Sequence, residues 1–318
     1  MEEILKVERI SQTYQAENGE LTALDDISFS VEKGEFVSIV GPSGCGKSTL
    51  LSIVAGMIRP TYGRVLLQGE PVEGISPHIG YMLQRDNLLE WRNIYQNVVL
   101  GLEIRKKLTR ENAEYANSLL KAYGLWEFRD KYPSQLSGGM RQRAVLAIAL
   151  AGNPQILFAD EPTTALDVTV QAQILDLLRS IQQKLGTATV LVSHDLGVVA
   201  RAADRVAVMY AGRIVEIGTA EEVYYDPRHP YTWALLRALP ALARHGEPLY
   251  TIPGMPPTLI DPPAGDAFAA RNEYALAIDY REAPPMFRIT DTHFAATWLL
   301  DPRAPKVAPP LGGLRHEG

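Results

Sequence analysis

Gly41-Pro-Ser-Gly-Cys-Gly46-Lys47-Ser48 decides the fold. It fits the phosphate-binding pattern GxxxxGK[ST] without a mismatch. An apolar run, Phe36-Val-Ser-Ile-Val40, leads into it, and the helix-like run Thr49–Met57 follows. Strand, glycine-rich turn and helix is the setting the motif requires. Glycines let backbone N–H groups curl around an anion, and a helix N-terminus adds its positive dipole end. Lys47 is expected to reach the β- and γ-phosphates of a nucleotide, and the Ser48 hydroxyl to hold Mg²⁺.

Working outward, Gln155-Ile-Leu-Phe-Ala159 ends at Asp160, and Thr189-Val-Leu-Val192 ends at Ser193-His194. Such runs, without polar alternation, predict strands of a sheet buried on both faces. Between them Ile174, Leu177, Leu178, Ile181 and Leu185 form the apolar stripe of an amphipathic helix. Val206–Tyr210 and Arg213–Ile217, split by Ala211-Gly212, predict a hairpin. Residues 111–124 and 139–151 have helical composition and lie between the first two buried strands, as a helical insertion would. Asp160 and Glu161 follow a buried strand. Alone, an acidic pair there reads as a loop start or a helix cap. Beside a phosphate loop, Asp160 reads as a Mg²⁺ ligand and Glu161 as the group that polarises an attacking water.

The 318 residues allow two domains, or one large domain with an appendage. Charge is mixed and the net balance is −6, which argues against nucleic acid as the main partner. Cys45 is the single cysteine, so an internal disulfide and a cysteine-ligated zinc or iron–sulfur site within this chain are excluded. No stretch approaches the roughly 18 apolar residues of a membrane span, and Met1-Glu2-Glu3 does not open a signal peptide. A cytosolic chain held at a membrane by partners is expected. Residues 1–225 carry 7 of the 22 prolines and the remainder of the chain carries the rest. The division predicts a regular α/β body over 1–225 and a loop-rich module over 226–318. Tyr231, Trp233, Phe268, Phe287, Phe294 and Trp298 give that module something to pack.

Leu136-Ser137-Gly138-Gly139-Met140-Arg141-Gln142-Arg143 resembles the signature loop of ABC transporter ATPases. In that family Gln84 matches the Q-loop, Ala165-Leu166-Asp167 the D-loop, His194 the switch histidine and Tyr14 the aromatic that stacks on adenine. The resemblance implies an α/β P-loop NTPase of ABC ATPase type, with a helical insertion at about 85–150 and the small proline-rich module appended. It implies Glu161, His194 and Gln84 in catalysis and Ser48, Gln84 and Asp160 around Mg²⁺. ATP would be held by Tyr14, Gly41, Ser43, Gly44, Cys45, Gly46, Lys47, Ser48 and Thr49, and by Ser137, Gly138, Gly139 and Asp167. In the family two ATPase subunits face each other head to tail, so that Ser137 and Gly139 of one cap the ATP on Lys47 of the other. A second ATPase subunit, two transmembrane permeases and, indirectly, an extracellular substrate-binding protein are the partners implied, with this chain on the cytoplasmic face.

From about residue 144 onward the chain resembles oligopeptide and dipeptide importer ATPases, through Asp160–Leu175, His194–Val199, Asp204–Gly212, His229-Pro-Tyr-Thr232 and Ile252–Pro257. Up to about residue 135 it looks more like the nitrate, sulfonate and taurine importer ATPases, through Ile79–Gln84, Leu88-Leu89 and Trp91-Arg92. An oligopeptide importer subunit is the reading drawn, with an anion-type importer as the rival and a soluble non-transport ABC ATPase behind both. Many peptide-type members carry four cysteines for an iron–sulfur cluster in the module. Here those positions are Asp266, Asn272, Asp279 and Thr297, so no cluster is expected. Asp266, Asp279 and His293 are expected to be hydrogen-bonded loop residues rather than metal ligands. Trp91 reads either as a permease anchor or as a core residue of the helical insertion.

Overall fold

The computed structural model describes residues 2–17, 19–164, 166–200, 202–239, 250–260 and 262–310. Two long strands, β1 (Glu3–Ala16) and β2 (Gly19–Glu32), form an antiparallel hairpin. The short strand β3 (Phe36–Val40) enters the phosphate loop, and helix α1 (Lys47–Val54) leaves it. β4 (Tyr62–Leu67) and β5 (Glu70–Pro71) complete an antiparallel sheet of order β2-β1-β4-β5. β6 (Ile79–Met82) then joins the second sheet at its edge. The chain turns helical through α2 (Ile94–Val98), α3 (Leu100–Ile104), α4 (Arg110–Ala122) and α5 (Gly138–Leu150). It returns through β7 (Ile156–Asp160), α6 (Val168–Leu185), β8 (Ala188–Ser193) and the short α7 (Leu196–Val199). β9 (Arg205–Tyr210), β10 (Arg213–Thr219) and α8 (Ala220–Tyr225) close the body. The module contributes α9 (Pro230–Arg237), β11 (Phe287–Arg288) and β12 (Phe294–Ala295).

The second sheet has the order β11-β12-β10-β9-β3-β8-β7-β6, and its central pairs β9–β3–β8–β7–β6 are parallel. Every residue of β3, β7 and β8 is buried, as the unalternating apolar runs predict. Successive side chains serve two cores. Phe36, Val40, Leu157 and Leu191 face the helices, among them α4, α5 and α6. Val37, Ile39, Phe158 and Val190 face the antiparallel sheet and α1. Burial on this scale, at about 25 cal/mol per Å² of apolar surface, fixes where the strands end and so where their functional side chains stand. On α6 the buried face is Ile174, Leu175, Leu178 and Ile181, whereas Leu185, expected on the stripe, is exposed in the last turn.

The module is not a separate body. β12 pairs with β10 at Glu216↔Ala295 and Ile217↔Phe294, extending the central sheet. Glu216 is fully buried there. Its carboxylate accepts the N–H groups of Arg228 at 2.7 Å and His229 at 3.0 Å, and lies 2.7 Å from His293 Nε2. Tyr210, Tyr231 and Phe268 stack at centroid distances of 4.6–5.3 Å across the junction. Arg271 donates to the Tyr210 hydroxyl at 3.1 Å. The positions matched to cluster cysteines are turn caps: Asp266, Asn272 and Thr297 each accept the backbone N–H two residues on, and Asp279 accepts that of Leu276. Among the described residues no group of three His, Cys, Asp or Glu side chains is placed to hold a metal.

Candidate active site

The glycines shape the phosphate loop. Gly44 and Gly46 have φ of 80° and 102°, left-handed values that side chains resist. A Cβ at Gly46 would fall 2.5 Å from the Ala23 carbonyl of β2, and one at Gly41 2.3 Å from the Met209 carbonyl of β9. One at Gly44 would meet nothing within 4 Å, so the loop is open on that side. Ser43, Gly44 and Ser48 are exposed and Thr49 is half-buried, whereas Cys45 turns inward and burial pushes its thiol up. No side chain caps α1, so its first N–H groups face the open loop. That is an anion cradle.

The strand ends supply the chemistry. Asp160 ends β7 and its Oδ1 accepts the Ser48 hydroxyl at 3.2 Å. Two hard oxygen donors at the mouth of a phosphate cradle fit Mg²⁺. Burial raises the Asp160 carboxyl above its ordinary range, against the pull of the Ser48 bond. Divalent charge would offset that desolvation.

Glu161 is the hub. Its backbone sits at φ 45°, a left-handed value for a residue with a side chain, held by its N–H bond to Val192 of β8 at 3.1 Å. Such outliers cluster at functional sites. Its carboxylate accepts the Gln84 amide at 3.3 Å and the Thr164 hydroxyl at 3.0 Å. It lies 3.7 Å from Lys47 Nζ and 3.4 Å from His194 Nδ1. Lys47 is buried and also donates to the Gly41 and Pro42 carbonyls at 2.9 Å each. A carboxylate so placed can orient a water and take its proton beside a bound phosphate. Thr164 escaped the sequence reading. Its signal is the spacing: a hydroxyl three residues after Glu161, on a turn closed by the Thr164 N–H to the Glu161 carbonyl at 3.1 Å.

The other expected ligands stand apart from this cluster. Ser137 caps α5, accepting the Met140 N–H at 3.4 Å, with Ser137 and Gly138 exposed. Gly139 packs so close to α6 that a Cβ would lie 2.8 Å from Val170 Cγ1. Asp167 caps α6 through the Val170 N–H at 3.0 Å, and Leu166 packs on the helical core. Ala165 lies outside the described residues. Tyr14 is half-buried near the tip of the hairpin, opposite Leu21. Trp91 is 74% exposed, which removes the core reading. Beside it Arg141 of α5 donates to Asp86 at 3.1 Å and Glu90 at 2.9 Å, tying the segment after Gln84 to the helix that starts at Ser137.

With that geometry in place, comparison with known proteins is specific. The family described as ABC transporter matches residues 24–164, and the family described as oligopeptide/dipeptide transporter, C-terminal region, matches residues 215–278. The oligopeptide transport ATP-binding protein OppD of Bacillus subtilis is 45% identical over 96% of this chain and 92% of its own. The dipeptide transport ATP-binding protein DppD of Lactococcus lactis is 43% identical over 97% and 94%. Both alignments run through the first half of the chain as well as the second. Among solved structures, the dimeric post-hydrolysis ATP-binding cassette MJ0796 with ADP and phosphate superposes with a TM-score of 0.62 at 31% identity, over 68% of this chain and 98% of its own. CbiO1 from Clostridium perfringens gives 0.64 at 31% identity, over 70% and 91%.

Proposed function

The chain belongs to the ABC transporter ATPases, on the oligopeptide/dipeptide branch, and from that premise we propose that it hydrolyses ATP to drive import of oligopeptides through partner permeases. The observation that carries the catalytic part is the convergence of Gln84, Thr164, His194 and Lys47 on the Glu161 carboxylate, at the mouth of the phosphate loop. In this reading the phosphates draw Lys47 away from Glu161, and the freed carboxylate orients a water and accepts its proton as the water attacks the γ-phosphorus and ADP leaves. His194 and Gln84 hold the far side of that water and the γ-phosphate oxygens. Ser48 and Asp160, with Gln84, would hold Mg²⁺, which supplies charge neutralisation on the phosphates. Tyr14 stacks on adenine, and Ser137 to Gly139 with Asp167 complete the site of a second ATPase subunit.

No helix among the described residues is long and apolar enough to cross a membrane. Attachment at the cytoplasmic face therefore falls to two permease subunits, docked where the exposed Trp91 stands beside Arg141, with an extracellular binding protein delivering the peptide. Reconstitution tests this. The chain, co-expressed with the permeases encoded beside it, is expected to show Mg²⁺-dependent ATPase activity that rises with peptide-loaded binding protein. Stimulation by an oxyanion-binding protein instead would leave the ATPase standing and overturn the peptide assignment.

A further inference from the structure

The phosphate loop rests on the turn between β9 and β10. A Cβ at Gly41 would strike the Met209 carbonyl, so the loop begins in direct contact with the end of β9. The Gly212 N–H donates to the Cys45 carbonyl at 3.0 Å. The buried Met209 side chain packs on the same loop, its Cε 3.1 Å from where a Cβ at Gly46 would stand. The turn itself has an uncommon shape. Ala211 and Gly212 have φ of 47° and 81°, and the first is a value that a side chain resists. A Cβ at Gly212 would fall 2.9 Å from the Ala23 carbonyl. A turn strained in this way keeps its shape only while its surroundings hold it.

The proline-rich module does the holding. Tyr210 ends β9 directly before the turn and is buried. Tyr231 and Phe268 of the module pack on its ring, and its hydroxyl accepts Arg271 Nη1 at 3.1 Å. The same guanidinium is anchored at two further points. Its Nε donates to the Pro253 carbonyl at 2.7 Å and its Nη2 to the Ile252 carbonyl at 3.5 Å. A planar fork fixed on two carbonyls presents its remaining donor in a set direction. Tyr231 comes near the loop as well: burial pushes its hydroxyl up, and the nearby Cys45 pushes the same way.

We propose that Arg271 is a positioning residue for the nucleotide site: through the Tyr210 hydroxyl it holds the β9–β10 turn, and with it the phosphate loop, in the shape that receives the phosphates. The proposal rests on reading Gly41–Ser48 as that site. The loop has left-handed glycines at 44 and 46 and is open beside Gly44, so it has conformations to lose when a nucleotide binds. A mount that removes them beforehand raises the competent fraction, and the apparent dissociation constant falls in proportion. Bound nucleotide imposes the same loop shape by itself, so the rate at saturation does not depend on the mount. The signature of Arg271 is an effect on nucleotide affinity without one on kcat.

The test compares the full-length chain with its Arg271→Met and Tyr210→Phe variants. Each substitution is expected to raise the dissociation constant of a fluorescent ATP analogue, and KM for ATP, about threefold to tenfold, the worth of one hydrogen bond, with kcat unchanged. The double variant should lose no more than the larger single loss, because both substitutions cut one link. Cys45 gives a second readout, since it is the chain's single cysteine and is buried in the loop. Without nucleotide, its modification by an aromatic disulfide reagent should run about threefold faster or more in both variants, and saturating ATP should bring back the wild-type rate. Should Arg271→Met fail to fold, Tyr210→Phe, which loses only a hydroxyl, decides. Folded variants with wild-type affinity overturn the proposal, as do a fall in kcat at unchanged affinity, wild-type Cys45 reactivity, or losses that add in the double variant. A wild-type chain that binds no ATP analogue removes the nucleotide-site reading and the proposal with it, whereas equal binding by wild type and variants removes the proposal alone.

Discussion

Two helices of this chain begin on glycine-rich turns, and they are furnished in opposite ways. At α1 the end of the helix carries no cap, and Lys47, Ser48, Asp160 and Glu161 crowd its open N–H groups. At α5 the end is capped by its own Ser137, Leu166 and Val170 pack against its glycines, and Arg141 of its first turn is taken up by Asp86 and Glu90. Both have the positive dipole end that attracts anions, but at α5 the Met140 amide is taken by Ser137. Only one has the charges to hold a triphosphate and the carboxylate to hydrolyse it. In the proposed head-to-tail assembly, the exposed Ser137 and Gly138 would meet the ATP held on the α1 of a second subunit.

The sharpest way to break the comparison is Glu161→Gln. If α1 alone does chemistry, turnover should fall on the order of 10²–10⁴-fold, because an amide cannot accept the water's proton. ATP binding should survive, and size-exclusion chromatography with ATP should show a dimer. Hydrolysis at the wild-type rate would remove Glu161 from its role.

The α5 end is tested by Ser137→Arg, expected to lower turnover about tenfold or more while the isolated chain keeps its nucleotide affinity. Its partner experiment is a crosslink. Ser43→Cys in one chain and Ser137→Cys in another should join with ATP present and not without it. The native Cys45 can stay, since its buried thiol resists ionisation. A bond that forms only within one chain would refute the head-to-tail assembly.

Thr164→Val asks for less. It removes one hydrogen bond to Glu161, so kcat should drop several-fold with KM for ATP unchanged, and Thr164→Ser should restore it. A change in KM instead would make Thr164 part of nucleotide binding.

The smallest effect is in stability against pH. Native Asp160 holds its proton to higher pH than it does unfolded, so its contribution to stability is lost as pH rises from the ordinary carboxylate range through its raised value. Asp160→Asn should flatten that part of the melting curve in metal-free buffer. The same substitution strategy at Ser137 should change nothing over that window. A wild-type slope retained in the asparagine variant would place the titration elsewhere.

What the sequence disclosed follows from the same contrast. β3, β7 and β8 are each buried on both faces, so they read as plain apolar runs. The phosphate loop, Asp160-Glu161 and Ser193-His194 stand at their ends. The hairpin was not legible. Its alternation is broken by a register shift between Glu3 and Leu5, where Ile4 and Leu5 are buried side by side, and by the bulges at Arg9 and Asp26, where Val7 and Ile10 lose step. The Glu161 cluster draws on four separated segments that meet only because β3, β6, β7 and β8 lie adjacent or nearly so in one sheet. Thr164 is readable only once the left-handed turn at Glu161 is known. The module's aromatics announced packing, but the pairing of β12 with β10 left no mark, since two-residue strands carry no period.

That pairing has a consequence for how the chain is made. β10 displays Ile214, Val215 and Ile217 along an edge that β12, dozens of residues later, must cover. Synthesis delivers the edge first, and an open apolar edge is a template for a neighbouring chain. Glu216 stands in the middle of it. Before the module arrives, its carboxylate is a naked charge on the strand, which repels an intruding β-strand. Once His293 and the N–H groups of Arg228 and His229 close over it, the same group becomes a buried latch. One residue thus guards the border during birth and seals it afterwards.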